Sequence, residues 1–316
     1  MKKIMLVLAS FIFILSNLLL AQPKIEFKQL SKMVYDRFGM GYCSDGNYIY
    51  AVGGGTGGPP DILGNFERYN PLTDKWELII EGIMPRRYCN AEYVPSENKI
   101  YIFNGEYITK FSKILTKYVE VIDLNTNTIT SGPDNPFPVW NAGSAVWDNK
   151  IYFFGGQNHY GVTNAFYEFD PAKGEWKQLP DLPGSRQTSG KIVDGILYVF
   201  GGFDGVQRMK RVDAYNIKEG KWSRLEDLPF RISSHSTSTD GKNIWLVGSY
   251  EDLDYLAMFN TETKKLIIYN SNMTKRRHAG SIALDGNLYI FGGNQNVRSL
   301  SALRNTEIAS LFDFEK

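Results

Sequence analysis

The chain of 316 residues has few of the side chains that disulfide, metal and nucleic-acid chemistry require. Two cysteines are too few for a disulfide-rich scaffold. The three histidines, His159, His235 and His278, fall in separate segments, and no set of residues has the spacing of a metal site. The 35 basic and 34 acidic residues nearly cancel, which excludes a basic footprint for nucleic acid. We therefore expect no metal, no cofactor and no nucleic-acid partner.

Helical periodicity and phosphate-binding motifs are also missing. No long segment repeats its apolar residues at helical spacing. The segment GGGTGG, which begins at Gly53, precedes Pro59 and Pro60 rather than a helix, so we interpret it as a loop between strands.

Six short apolar runs that end in glycine dominate the sequence instead. They read YIYAVGGG, IYIFNGE, IYFFGGQ, LYVFGGF, IWLVGSY and LYIFGGN, and successive runs are 51, 51, 46, 47 and 44 residues apart. A repeat of this length, with glycines that close an aromatic-rich strand, is typical of a propeller blade. The sequence therefore predicts an all-β, six-bladed β-propeller with four antiparallel strands in each blade.

The composition of each repeat predicts the order of its strands. Crowding near a propeller axis requires small side chains, so the strand rich in Gly, Ala, Ser and Thr should be innermost. The fourth strands carry Trp76, Trp176 and Trp222, which are large enough to fill the wide outer spaces between blades. Blade 2 has Ile129 near this place and blade 5 has Leu266 or Ile267, so we expect these two blades to be packed less fully.

The missing fourth strand of the last repeat is found at the start of the chain. The segment KIEFKQLSKMVYDR, residues 24–37, aligns without a gap on KGEWKQLPDLPGSR, residues 173–186, with Phe27 in the place of Trp176. We expect this segment to complete blade 6 and close the ring, which removes the free edges of the sheet array.

Taken together, the paired glycines, the spaced aromatic positions and the repeat length resemble kelch repeats over roughly residues 24–316. The resemblance implies a kelch-type propeller. It leaves the function open, because such propellers bind proteins, bind sugars or carry catalysis.

The first 21 residues differ from the rest of the chain. Lys2 and Lys3 precede an apolar stretch, and Ala21 offers a small residue at a cleavage site. We predict a signal peptide over residues 1–21 and a single propeller over residues 22–316. The protein is then periplasmic or secreted, in a bacterial setting, without a membrane anchor after cleavage. An uncleaved anchor is the alternative, although Ser10, Ser16 and Asn17 interrupt the stretch.

Export would permit a disulfide between the two cysteines. Cys43 and Cys89 fall in the innermost strands of neighbouring blades, but their positions relative to the preceding arginines differ by three residues, or about 10 Å along a strand. We therefore expect two buried free thiols.

Arginine recurs where the innermost strands begin, on the face that also carries the loops after the glycines. Five repeats have it, as Arg37, Arg86 or Arg87, Arg186, Arg231, and Arg276 or Arg277. Guanidinium groups pair well with carboxylates. One interpretation is that Arg37, Arg86, Arg186, Arg231 and Arg276 bind an acidic sugar or acidic peptide at the mouth of the axial channel. The other is internal pairing with loop acids, namely Glu106, Asp204, Glu251 and Asp252.

The same loops supply further candidate ligand-binding residues, which are Gln157, Asn158, His159, Asp204, Tyr250 and Asn294. Amides, acids and exposed rings on one rim suit a polyhydroxylated sugar, and they are also ordinary loop composition. Binding of a carbohydrate or protein ligand is therefore the leading functional hypothesis.

The alternative hypothesis is catalysis. The chain resembles exported six-bladed kelch proteins of bacteria that are mutarotases or epimerases of acidic sugars such as N-acetylneuraminate. That family has a glutamate after Asn-Gly, which Asn104-Gly105-Glu106 matches, and then an arginine, which is not matched near Ser112. The resemblance implies that Glu106 would be the acid/base residue.

Overall fold

The structure is a computed structural model that describes residues 22–58, 61–108, 112–296 and 302–315. The predicted signal peptide, residues 1–21, lies outside the described residues and stays a prediction. Among the residues that are described, no helix has both the length and the apolar composition needed to cross a membrane.

Six four-stranded antiparallel sheets form the blades, which confirms the predicted propeller. Blades 1 and 2, in sheet order from the innermost strand, consist of Gly41–Ser44, Ile49–Val52, Asn65–Asn70 and Lys75–Glu81, and of Asn90–Val94, Lys99–Phe103, Glu120–Asp123 and Thr128–Ser131. Blades 3 and 4 consist of Gly143–Trp147, Lys150–Phe154, Phe166–Asp170 and Glu175–Gln178, and of Gln187–Val193, Ile196–Phe203, Val212–Asn216 and Lys221–Arg224. Blades 5 and 6 consist of Ser236–Thr239, Asn243–Val247, Leu256–Asn260 and Leu266–Ile268, and of Gly280–Leu284, Asn287–Phe291, Thr306–Ser310 and Lys28–Leu30.

The remaining elements are short and lie outside the six blade sheets. They are the hairpin strands Glu106–Ile108 and Lys113–Leu115, the hairpin strands Gln157–Asn158 and Gly161–Val162, the parallel pair Lys24–Ile25 and Asn270–Ser271, and the 3-10 helix Leu311–Glu315.

Blade 6 is completed by the N-terminal segment, as the sequence predicts. Lys28–Leu30 pairs antiparallel with Thr306–Ser310, with Leu30 opposite Thr306. The innermost strands of all six blades then contact one another in a closed cycle. The ring is therefore held shut by a strand from one end of the sequence and three strands from the other.

The tryptophans of the fourth strands fill the spaces between blades. Trp222 of blade 4 packs on Phe166 of blade 3, and its indole N–H donates to the carbonyl of Pro180 at 2.8 Å. Leu266 occupies the corresponding register position in blade 5, opposite Phe259, and a groove of about 440 Å³ remains beside it. This agrees with the looser packing predicted for blade 5.

Small residues on the innermost strands leave an axial channel along the propeller axis. Its walls include Gly41, Ala91, Gly143 and Ser236. Cys43 and Cys89 are both buried and both free, as expected.

Candidate functional site at the glycine side of the propeller

Four of the predicted arginines are buried in ion pairs within their own blades, and we call these pairs the pins. The pins join Arg37 to Glu67, Arg86 to Glu120 at 2.6 Å, Arg186 to Asp213 at 2.6 Å and Arg276 to Glu307 at 2.5 Å. All four guanidinium groups are fully shielded from solvent. These four arginines therefore pair internally and do not await an acidic ligand. Their carboxylate partners come from the third strands and not from the loops after the glycines.

Arg231 does not occupy the pin position of blade 5, so its predicted equivalence with the other arginines is wrong. The carbonyl of Arg186 accepts a hydrogen bond from Gly156, and in the next blade the carbonyl of Ile232 accepts the equivalent bond from Gly202, both at 2.9 Å. Ile232 is fully buried, whereas Arg231 is exposed and donates to the side chain of Gln207 and the carbonyl of Arg208. In blade 3 the position belongs to Val139, whose carbonyl accepts from Gly105 at 2.8 Å. The pins therefore exist in four blades.

The residues that follow the pin positions pair with the residues that follow the glycines, and together they form what we call the mouth. Its members are Phe38 and Gly55, Arg87 and Glu106, Trp140 and Gln157, Gln187 and Phe203, Ser233 and Tyr250, and Arg277 and Asn294. The pairing is made by the backbone in each blade, so six equivalent pairs surround the axis. Of the predicted site residues, the mouth brings together Glu106, Gln157, Tyr250 and Asn294.

Arg277 is the cation of the mouth whose donors are least satisfied. Its guanidinium lies 4.0 Å from the centroid of the Tyr250 ring, and the side chain of Arg208 lies 4.7 Å from the same centroid. The guanidinium of Arg277 donates to the side chain of Asn294 at 3.4 Å and to the carbonyl of Asn296 at 3.2 Å. The residue is only 5 % exposed, yet among the described residues Nη1 has no hydrogen-bond partner and no carboxylate pairs with the guanidinium. A buried guanidinium N–H normally has an acceptor, so this group can receive one from a ligand.

Glu106 is enclosed by cations of its own blade. Its carboxylate accepts from the guanidinium of Arg87 at 2.7 Å and lies 3.7 Å from the ammonium of Lys113. The residue is 1 % exposed. Lys113 also lies 5.9 Å from the centroid of the Trp140 ring, so acid, cations and ring form one cluster beside Arg87.

Comparison with known sequences identifies the family of this propeller. A family model described as the KLHDC2/KLHL20/DRC7 Kelch-repeats domain matches residues 39–249, about two thirds of the chain. The chain belongs to the kelch-repeat family. It is 27 % identical over 180 residues to Kelch-like protein 25 of Xenopus tropicalis, a match that covers 54 % of this chain and 29 % of that protein. It is 26 % identical over 149 residues to Kelch-like protein 38 of Rattus norvegicus (47 % of this chain, 24 % of that protein). It is 30 % identical over 134 residues to Kelch-like protein terF of Aspergillus terreus (37 % and 28 %). The match thus spans less than a third of the length of each relative.

The other predicted site residues of this kelch propeller lie in loops, where Asn158 and Asp204 accept hydrogen bonds from the loop backbone. Asn158 accepts from the backbone N–H of Tyr160 at 2.9 Å, and the neighbouring His159 is exposed. Asp204 accepts from the backbone N–H groups of Val206 and Gln207, and these bonds lower the pKa of its carboxyl. Within the described ranges, no three His, Cys, Asp or Glu side chains come close enough together to hold a metal ion.

A hydrogen-bonded arc of backbone from five of the six blades, which we call the collar, lies between the mouth and the axial channel. Its members are Gly39, Tyr88, Asn141, Ser234 and His278, all with φ between 51° and 58°. Backbone bonds of 2.5 to 3.0 Å run from His278 to Ser234, Gly39 to His278, Tyr88 to Gly39 and Asn141 to Tyr88. Large side chains at positive φ are strained, and such strain concentrates at functional sites. Burial, together with Arg277 and Arg87, lowers the pKa of His278 to about 3, so its imidazole is neutral.

Sequence reasoning named Arg87 and Arg277 only as alternatives to their neighbours and did not name Tyr88 or Trp140 as site residues. The sequence signal that could have identified these residues is their offset from the pin position. The residue directly after each pin position belongs to the mouth, and in every blade except blade 4 the next residue belongs to the collar. Once one pin is located, this offset identifies the equivalent residues in the other blades.

Proposed function

We propose that this kelch propeller is a binding module that takes an acidic segment of a protein partner at the mouth. The observation that carries the proposal is the guanidinium of Arg277, which is buried on Tyr250 with one N–H group unpartnered. A carboxylate would complete its hydrogen bonds, and a charge-assisted bond of this kind contributes about 1.5 to 3 kcal/mol.

Exposed apolar side chains support a protein as the ligand. Five large hydrophobic residues are exposed on the loops of the glycine side, namely Ile114, Tyr118, Tyr160, Val206 and Phe230. Aromatic side chains and arginine are enriched at protein-binding surfaces relative to the rest of a protein surface. A small sugar inside the mouth would leave this rim uncovered. If residues 1–21 direct export, the partner is periplasmic or extracellular.

The mutarotase alternative depends on a Glu106 carboxylate that reaches the substrate. Arg87 and Lys113 enclose that carboxylate, and no observation favours catalysis over binding. The proposal can be separated from it experimentally, because a binding module leaves its ligand chemically unchanged.

Fluorescence anisotropy with a labelled peptide rich in Asp, Glu and Tyr tests the proposal, with a Lys-rich peptide of equal length as the charge control. We expect the acidic peptide alone to bind, with an affinity that falls as salt is added. Arg277→Gln should weaken binding about tenfold or more.

Arg224→Gln is the matched control, because Arg224 lies on an outer strand and pairs with Asp227. Equal affinity of the wild type and Arg277→Gln for the acidic peptide would overturn the proposal. So would saturable binding of free N-acetylneuraminate without peptide binding. Faster anomeric equilibration of that sugar, abolished by Glu106→Gln, would establish the enzyme instead.

A further inference from the structure

The axial channel is a second polar site that the mouth does not use. Five of the six blades contribute a polar or charged side chain to its wall, and these are Tyr42, Glu92, Ser144, Lys191 and His235. All five lie on innermost strands or directly before one. Small residues are sufficient to line a channel near the propeller axis, so the four larger side chains of this set, Tyr42, Glu92, Lys191 and His235, need another explanation.

Two opposite charges line the channel without pairing with each other. The carboxylate of Glu92 accepts from the hydroxyl of Ser144 at 2.6 Å and is buried. Lys191 lies across the channel in blade 4, and in the described part of the chain its ammonium forms no salt bridge. Glu92 is buried and Lys191 is half-buried, and removing unpaired charges from water is costly. A ligand with a cationic and an anionic group would satisfy both.

His235 adds an unsatisfied donor and acceptor to the same wall. The residue is 7 % exposed, and neither ring nitrogen has a hydrogen-bond partner among the described residues. Burial lowers the pKa of this imidazole to about 3, so it is neutral and offers one N–H and one lone pair. Buried polar groups of this kind are almost always hydrogen-bonded.

The channel meets a wider cavity on the side opposite the mouth. Its cavity measures about 90 Å³, and the collar lies at its glycine-side end. Glu92 and Lys191 also line a second cavity of about 360 Å³ at the other end of the innermost strands, beside Ser44 and Thr239. The two charged side chains therefore stand where the narrow channel meets the wider opening.

The size of the channel limits the ligand. At ~10–15 Å³ for each water, 90 Å³ accommodates roughly six to nine waters, or one organic molecule of about the size of a small amino acid. We propose that the axial channel binds a small amino acid as a zwitterion, with the ammonium group at Glu92 and the carboxylate at Lys191. His235 supplies a further hydrogen bond, and the ligand enters from the face opposite the mouth.

Calorimetric titration and thermal unfolding with glycine, alanine, serine and threonine test this inference. We expect at least one of them to bind and to raise Tm. For each binder, the amine without the carboxylate and the acid without the ammonium group should bind at least tenfold more weakly. Glu92→Gln and Lys191→Met should each weaken binding about tenfold or more.

Glu175→Gln and Lys177→Met are the matched controls, because both residues are exposed on the outer strand of blade 3. Arg277→Gln should leave amino-acid binding unchanged, which separates this site from the mouth. Absence of binding to the wild type at roughly 10 mM would overturn the inference without any variant. Equal binding of the zwitterion and its fragments, or equal binding by Glu92→Gln and Lys191→Met, would also overturn it.

Discussion

Nη2 of Arg276 lies 2.5 Å from Oε2 of Glu307, and both side chains are fully shielded from solvent. Burial lowers the pKa of Arg276 to about 10, and the neighbouring carboxylate opposes that shift. Glu307 also accepts from the backbone N–H of Thr274 at 3.0 Å. The pair thus joins the third strand of blade 6 to the segment that leads into its innermost strand.

We expect Glu307→Gln to lower the free energy of unfolding by about 3 to 5 kcal/mol, because it leaves a buried guanidinium without its counter-charge. Urea unfolding followed by tryptophan fluorescence measures the change. Glu262→Gln is the control, since Glu262 is exposed and only loosely paired with Lys242. Comparable midpoints for the two variants would show that the pin does not stabilise the blade.

Stability should fall as the pH drops from about 6.5 towards 3. Burial lowers the pKa of His235 and of His278 to about 3 in the folded chain, whereas the pKa of an unfolded histidine is about 6.5. In this window the unfolded chain binds protons that the native chain does not, so acid favours unfolding by up to about 1.4 kcal/mol per pH unit for each histidine.

His235→Gln should remove the contribution of one histidine to that slope. Urea midpoints measured between pH 5 and pH 7 test this, with His159→Gln as the control, because His159 is an exposed loop residue. A slope that is the same in His235→Gln and the wild type would contradict the assignment.

Leu266→Trp should stabilise the protein by about 0.5 to 2 kcal/mol, because the indole would fill the groove that blade 5 leaves beside blade 4. Trp222 shows the arrangement that the same register position supports in blade 4. The control is Leu72→Trp, since Leu72 is 94 % exposed and does not line this groove. Thermal and urea unfolding should show a gain for the first variant only, and a loss for Leu266→Trp would mean that the groove cannot take an indole.

The fold could be predicted from the sequence because each blade repeats a local pattern of small residues, a glycine-ended strand and an outer aromatic residue. The same repetition identified residues 24–37 as part of blade 6, since the segment aligns with an internal copy. These features depend on neighbours in the sequence or on comparison between repeats, and both are visible without coordinates.

The partners of the arginines could not be predicted in the same way. Glu120 lies 34 residues after Arg86, on a third strand, and the sequence does not show that its side chain reaches back to the start of the innermost strand. Arg231 shows that a register error of one residue is enough to misplace a side chain. One residue of register separates it from the buried position that Ile232 occupies, and that single step places its guanidinium on the surface.

Phe27→Ala should destabilise the propeller by about 3 to 5 kcal/mol, because Phe27 is a core residue although it lies only a few residues into the described chain. Its ring packs in the cluster that contains Met258 of blade 5 and Ala309 of blade 6, in the place that tryptophan takes in blades 1, 3 and 4. Its backbone N–H also donates to the side chain of Asn272 at 2.6 Å, which joins the N-terminal segment to the connection between blades 5 and 6. Urea unfolding measures the loss, with Phe312→Ala as the control because Phe312 is 71 % exposed. If Phe27→Ala unfolds at the same urea concentration as Phe312→Ala, the N-terminal segment does not help to hold the ring closed.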